Sequence, residues 1–246
     1  MRVAQTIGTT KKFKPYGKDG NVLTKKHSDS LTFTNEYDEK GRIGSSSYGE
    51  TTVNYAYDPH GQLISVNGVG LTYDANGNVL TYGDKEYTWN SGRNLESITD
   101  GDNTYSYTYD ENGIRTSKEV GGVTTYFNTK DGVILSQTDG TNTWYFQYDT
   151  NGSPLGFVLN GTQYFYITNQ MGDVLAITDT NGDIVGNYEY DAWGKVLTAD
   201  TDIAKQNPLR YRGYYYDNET GYYYLQSRYY DSNICRFIEI QKENIT

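Results

Sequence analysis

The sequence predicts an all-β chain of consecutive antiparallel hairpins, joined edge to edge into one curled, spiralling sheet. Three observations predict it: a short motif that recurs, an even spacing of its copies, and strand-like alternation between them. The motif is Tyr-Asp, two residues, then Gly. It reads Tyr37-Asp38-Glu39-Lys40-Gly41, Tyr57-Asp58-Pro59-His60-Gly61, Tyr73-Asp74-Ala75-Asn76-Gly77, Tyr109-Asp110-Glu111-Asn112-Gly113, Tyr148-Asp149-Thr150-Asn151-Gly152 and Tyr190-Asp191-Ala192-Trp193-Gly194. Looser copies fill the gaps at residues 89–92, 129–132 and 178–182. Gly41, Gly61, Gly77, Gly92, Gly113, Gly132, Gly152 and Gly172 fall 15 to 21 residues apart, and a period near 20 marks a repeat architecture.

Residues 1–31 are polar, carry Lys11, Lys12, Lys14 and Lys18, and show no clear repeat. They read as an irregular start or the remnant of an earlier repeat. The repeats then run over 32–206. In each motif the Asp or Asn side chain bonds its own backbone two residues on, and Gly supplies the positive φ that closes a turn. Gly113, Gly152 and Gly194 are therefore expected at positive φ. The flanks alternate as half-buried strands do, as in Thr104-Tyr105-Ser106-Tyr107-Thr108-Tyr109 and Thr143-Trp144-Tyr145-Phe146-Gln147-Tyr148. One period thus makes one hairpin, with strands of about 7 residues, roughly 23 Å long. Helical periodicity is absent except at residues 201–206. A lone hairpin is marginal in water, so neighbours must pair, and the fixed hand of sheet twist makes the ribbon curl. About 9 or 10 hairpins fit the period. Two unpaired edges and an exposed aromatic inner face are expected, and with them self-association.

The composition agrees and excludes several classes. The 246 residues include 27 Tyr, 27 Gly and only 4 Pro, so the apolar surface is mostly aromatic rings with polar tips. Regularly placed aromatics exclude a disordered chain. A net charge of −10, from 21 basic and 31 acidic residues, argues against nucleic acid or an anionic membrane surface as the main partner. A single cysteine, Cys235, allows no internal disulfide. Residues 1–20 lack the apolar core of a signal peptide, and no 18-residue apolar run exists to span a membrane.

Few residues invite a chemical reading. Asp179-Thr180-Asn181-Gly182-Asp183 places oxygens at alternate positions, as a calcium loop does. Its glycine is misplaced, however, and Tyr190 stands where a bidentate glutamate is needed, so a plain turn is the better reading and no metal is expected. His27 and His60 lie far apart and match no zinc spacing. Gly44-Ser45-Ser46-Ser47-Tyr48 fails as a nucleophile elbow because Tyr48 replaces the second glycine. Gly68-Val69-Gly70-Leu71-Thr72-Tyr73 is no dinucleotide loop. Neither catalytic nor cofactor-binding residues are assigned. Tyr- and Trp-rich hairpins also look like wall-binding repeats, which leaves a cell-wall polysaccharide as an alternative partner.

The most specific stretch is Asn207 to Phe237: Asn-Pro-Leu-Arg-Tyr-Arg-Gly-Tyr-Tyr-Tyr-Asp-Asn-Glu-Thr-Gly-Tyr-Tyr-Tyr-Leu-Gln-Ser-Arg-Tyr-Tyr-Asp, then Ser-Asn-Ile-Cys-Arg-Phe. It resembles the RHS repeat-associated core, which closes the YD-repeat array of Rhs and wall-associated proteins, teneurins and Tc-toxin C components. Residues 168–176 and 188–196 are similar to two further segments of that family, and the resemblance covers about 37–237. It implies a hollow shell whose end the core block plugs, and an extracellular or surface-associated scaffold. That scaffold is non-enzymatic, and its partners are the remainder of the shell and a C-terminal toxin cargo. This chain is shorter than a full shell, so it reads as a fragment that lacks its toxin, with a core-associated block at 207–237 and a diverged tail at 238–246. In the family, Gly-Arg-Phe precedes aspartates that cut the shell from its cargo. Here Cys235 replaces that glycine and only Arg236 and Phe237 match. Gln241 falls where an aspartate belongs, and Glu239 is the nearest carboxylate. Self-cleavage is therefore not expected, and without glycine at 235 the backbone there is expected to take another path.

Overall fold

The computed structural model describes residues 16–17, 19–21, 23–26, 32–90 and 94–239, so most of the 1–31 segment, with His27, and Gln241 lie outside the described residues. The chain divides into two compact units, Met1–Val69 and Gly70–Thr246.

In the first unit, β1 (Thr24–Lys26), β2 (Thr32–Tyr37), β3 (Ile43–Tyr48), β4 (Thr51–Tyr57) and β5 (Leu63–Val66) pair antiparallel in chain order. The second unit repeats the arrangement at greater length. Its strands are β6 (Val69–Tyr73), β7 (Val79–Tyr82), β8 (Lys85–Asn90), β9 (Asn94–Asp100), β10 (Asn103–Tyr109), β11 (Arg115–Val120), β12 (Val123–Lys130), β13 (Val133–Thr138), β14 (Thr143–Tyr148), β15 (Pro154–Leu159), β16 (Thr162–Thr168), β17 (Val174–Thr178), β18 (Ile184–Tyr190) and β19 (Val196–Ala199). Each pairs antiparallel with the next. The short helix α1 (Asp202–Gln206) follows. After it come β20 (Tyr215–Asp217), β21 (Tyr222–Leu225), β22 (Arg228–Asp231) and β23 (Arg236–Phe237), which form a separate four-stranded sheet. Among the described residues no helix is long and apolar enough to cross a membrane.

The turn chemistry explains the motif. At Asp110 the carboxylate accepts from the backbone of Asn112 and Ile114, each at 2.9 Å. The amide of Gly113 closes on the Asp110 carbonyl at 3.1 Å. Asp74, Asp149, Asp179 and Asp191 do the same, and Asn169 stands in for Asp in one copy. Gly113, Gly152 and Gly194 all take positive φ, at 78°, 82° and 89°.

Directly after the turn comes a feature that the spacing did not reveal. Tyr109 pairs with Arg115 but Thr108 pairs with Ser117, so Thr116 has no opposite number. The same one-residue shift leaves out Leu80, Leu155 and Leu197. Such bulges bend a strand and increase its twist.

Bending is then held by the motif tyrosine. Between β13 and β14 the ladder stops at the pair Ser136 and Tyr145. Beyond that point the strands part, and the Tyr148 hydroxyl crosses to donate to the Ile134 carbonyl at 2.9 Å. Tyr57, Tyr109 and Tyr190 make the equivalent bond to Ile43, Leu95 and Val174 at 2.8 to 3.0 Å. The indole of Trp89 donates to Val79 at 2.7 Å. The ring thus ties one turn to the turn before it.

The two faces of the second unit's sheet differ. One carries hydroxyl pairs at 2.7 Å: Thr72 with Thr81, Thr88 with Ser97, and Thr108 with Ser117. The other buries Leu95, Ile98, Phe157 and Ile177 completely, so the inner face expected to lie open is covered. A methyl group tests the turn geometry at two glycines. At Gly152 nothing lies within 4 Å of an added Cβ, whereas at Gly194 it would run into the Tyr211 ring. Gly152→Ala is expected to cost about 1–2 kcal/mol from its left-handed backbone alone. Gly194→Ala should cost clearly more, because the ring must also move. Denaturant melts check this: no loss at Gly152 would contradict the turn assignment, and equal losses would contradict the close approach of the Tyr211 ring.

Candidate functional site

The covered face is the seat of the C-terminal block. Thr201 caps α1 by accepting from the Ala204 amide at 3.3 Å. The helix lies so close over β18 that a Cβ on Gly186 would sit 2.9 Å from Thr201 Oγ1 and 3.0 Å from Ala204 Cβ. The chain then turns inward at Asn207, which is fully buried. Its amide donates to Tyr188 at 3.0 Å and to the Leu209 carbonyl at 2.7 Å, and its oxygen accepts from Tyr166. Arg210 donates to the carbonyls of Asn207 and Lys205 and to Asn218, at 2.6 to 2.9 Å, and its guanidinium lies 4.3 Å from the centre of the Tyr216 ring. The irregular segment is thus fixed by side chains that satisfy backbone carbonyls.

From there the block's tyrosines reach the sheet by their polar tips. Tyr222 meets the hydroxyl of Tyr87, and Tyr229 that of Tyr109 at 2.7 Å. Tyr215 donates to Gln137 at 2.6 Å, and Tyr223 and Tyr230 to the carbonyls of Gly194 and Trp193.

At the centre stands an ion pair. Arg115 on β11 grips Asp217 on β20 with both terminal nitrogens, at 2.6 and 3.1 Å, and both side chains are fully buried. The guanidinium carbon lies 4.2 to 5.8 Å from the ring centres of Tyr107, Phe127, Tyr215, Tyr224 and Tyr229. Lys118 bonds Asp217 at 3.0 Å and Glu219 at 2.9 Å. Burial pushes the Asp217 carboxyl up, but Arg115 and Lys118 together overcome it and hold the carboxyl below its ordinary range. Glu219 is pushed up by burial and by Asp217, against the opposing charge of Lys118. Removing Asp217 would leave the Arg115 charge fully buried without its carboxylate, a loss of about 3–5 kcal/mol.

The backbone at Cys235 does not take another path. Cys235 holds a left-handed φ of 55°, the conformation a glycine would take there, and β23 pairs normally with β22. Beyond it the Ile238 amide donates to the Tyr229 carbonyl, and its carbonyl accepts from Val79, both at 3.0 Å. Glu239 is almost fully buried. Its Oε1 accepts from the Tyr229 amide at 2.7 Å, while Oε2 has no partner among the described residues. Burial pushes its carboxyl up to about 8, opposed in part by the Tyr229 amide and by Arg228.

The other sequence candidates stay apart. The Asp179 carboxylate is occupied by its own turn, bonded to Asn181 and Asp183 at 2.8 and 3.0 Å. His60 sits in an exposed turn, Ser45 bonds Glu36 from within β3, and Gly68 closes a hairpin at φ 81°. Arg115 and Lys118 were missed, although a signal existed. Six residues after the motif aromatic, other copies place Ile43, Leu63, Val79, Leu95 or Val196. A cation at that inward position needs a buried partner.

The sequence model of the Teneurin YD-shell matches residues 4–245. The chain belongs to that family. Among curated relatives, the tRNA nuclease WapA of Bacillus subtilis is 38% identical over 244 residues, 93% of this YD-shell chain and 10% of the relative. The double-stranded DNA deaminase toxin A of Burkholderia cenocepacia is 24% identical, over 91% of the chain and 14% of that protein. Teneurin-m of Drosophila melanogaster is 25% identical, over 91% and 8%. This YD-shell chain therefore spans about a tenth of the length of the curated relatives it matches. A crystal structure of TcdB2-TccC3-Cdc42 shares the fold with a TM-score of 0.53 at 17% identity, covering 91% of this chain and 16% of that one.

Glu239 gives the site a pH dependence. Its folded carboxyl titrates near 8, against an ordinary 4.5, so the folded state holds the proton more tightly. Its contribution is fully present below pH 4.5 and is lost as pH rises through 8, by up to about 1.4 kcal/mol per unit. Glu239→Gln should match the parent at pH 5 and be more stable at pH 9. A stability difference that does not change with pH would contradict this.

Proposed function

We propose that the chain is a non-enzymatic piece of shell wall plus its closing block, from an encapsulating and delivery scaffold of a bacterial polymorphic toxin. Its partners on this reading are the remainder of the shell and a C-terminal cargo. The nuclease and deaminase in the relatives' names belong to proteins many times longer. The observation that carries the reading is the seat itself. A buried, charge-paired and hydroxyl-linked block across one sheet face is a costly way to stabilise a fold, since apolar packing of the same volume would serve as well. It is an effective way to fix one segment in one place, as closure of a container requires.

A second reading, binding of wall polysaccharide, is favoured by one observation. Tyr126, Tyr145 and Phe165 are 61%, 57% and 44% exposed, and pairing through Thr138, Thr143, Val158 and Gln163 puts them on the same outer face. Flat exposed rings separated by amides and hydroxyls offer sugar rings a stacking surface.

A chimera separates the two. This chain replaces the matched segment of the Bacillus subtilis WapA. The closure reading expects a protease-resistant particle that keeps its C-terminal domain shielded, and Asp217→Asn should open it. Tyr126→Ser with Tyr145→Ser should leave shielding intact. Shielding that survives Asp217→Asn, or fails with the outer-face variant, would contradict closure.

A further inference from the structure

A cavity of about 400 Å³ lies between the turn ends of β13–β15 and the C-terminal block. That is within the range of small-molecule sites. Among the described residues its charged lining is Arg212 and Arg228, with no acidic side chain, although the chain as a whole carries −10. The two arginines differ. Arg212 is tethered: its amide donates to Asp173 Oδ1 at 3.0 Å, and its Nε lies 3.6 Å from the same oxygen. The Arg228 guanidinium makes no hydrogen bond or ion pair among the described residues, and it rests 3.9 Å from the centre of the Phe237 ring. Burial pushes the nearby Glu239 carboxyl up to about 8, which weakens it as a counter-charge for Arg228.

The wall beside Arg228 is shaped rather than incidental. Gln226 takes a left-handed φ of 59°. Its amide packs over Gly132, where an added Cβ would lie 2.8 Å from Gln226 Cδ. Leu209, Leu225 and Ile134 supply an apolar lining, and the adjacent Tyr214 is 40% exposed. An unpaired planar guanidinium at the edge of an apolar wall matches a carboxylate through its fork of donors.

We propose that this cavity binds an organic anion, one carboxylate on an apolar body, with Arg228 taking the carboxylate and the Leu209–Leu225 wall the rest. Such a group occurs on a free aryl acid and at the end of a peptide. This site is separate from the closure reading and does not rest on it.

The test is calorimetric titration of the full chain with 3-phenylpropionate, with its neutral amide, with a dipeptide ending in phenylalanine, and with inorganic phosphate. The acid should bind at least tenfold tighter than the amide and than phosphate. Tighter binding of the dipeptide than of the free acid would assign the site to a peptide terminus, and the reverse to a small acid. Arg228→Gln should abolish the preference for the acid with only a small drop in melting temperature, since the guanidinium makes no hydrogen bond and only its contact with the Phe237 ring is lost, and Arg228→Lys should retain only part of it. No saturable binding, equal affinity for acid and amide, phosphate as tight as the acid, or an unaffected Arg228→Gln would each overturn the assignment.

Discussion

A sheet built of twenty-residue hairpins must bend somewhere, and in this chain the bend is held by one bond, from the motif tyrosine to a carbonyl of the preceding hairpin. The bulge after each turn bends and twists the strand, and consecutive strands part at that end. An open gap there would leave backbone groups without partners, a cost comparable to a lost hydrogen bond for each. The ring fills the gap, and its hydroxyl accounts for one of those groups. Tyrosine is therefore not interchangeable with phenylalanine or leucine at this position, and Trp89 is the natural substitute, with a donor at the far end of a flat ring. The aspartate beside it serves a different end, since it closes the turn.

The same property of tyrosine explains the C-terminal block. Aliphatic side chains would bury area without direction, whereas each buried hydroxyl requires a partner at a defined place. Tyr215, Tyr222, Tyr223, Tyr229 and Tyr230 each find one on the sheet or its turns. The Arg115–Asp217 pair adds the strongest restriction, because the buried Arg115 charge is not tolerated without its carboxylate. The block is thus held by many modest directional bonds around one indispensable pair.

Much of this was legible in the residues. Period, alternation and the turn residues gave the strand order, because each is local and repeated. The helix at Asp202–Gln206 was readable from the one break in that pattern. The bulges were not, since a one-residue shift between strands leaves no mark on the spacing of the turns. Arg115 was readable only by aligning the copies and asking why one inward position carries a cation. Cys235 misled in the other direction: a non-glycine residue implied a changed backbone, but surrounding pairing held it at φ 55°. Glu239 was visible as a carboxylate near the chain's end, but its burial depends on packing against β22 that no local pattern records.

The most direct test compares Tyr148→Phe with Tyr145→Phe in denaturant unfolding. Both remove one hydroxyl from the same strand; only Tyr148 bonds the Ile134 carbonyl, while Tyr145 is 57% exposed. The expected result is a loss of about 1–3 kcal/mol for Tyr148→Phe and no more than about 0.5 kcal/mol for Tyr145→Phe. Equal effects would contradict the claim that the hydroxyl-to-carbonyl bond holds one hairpin to the next.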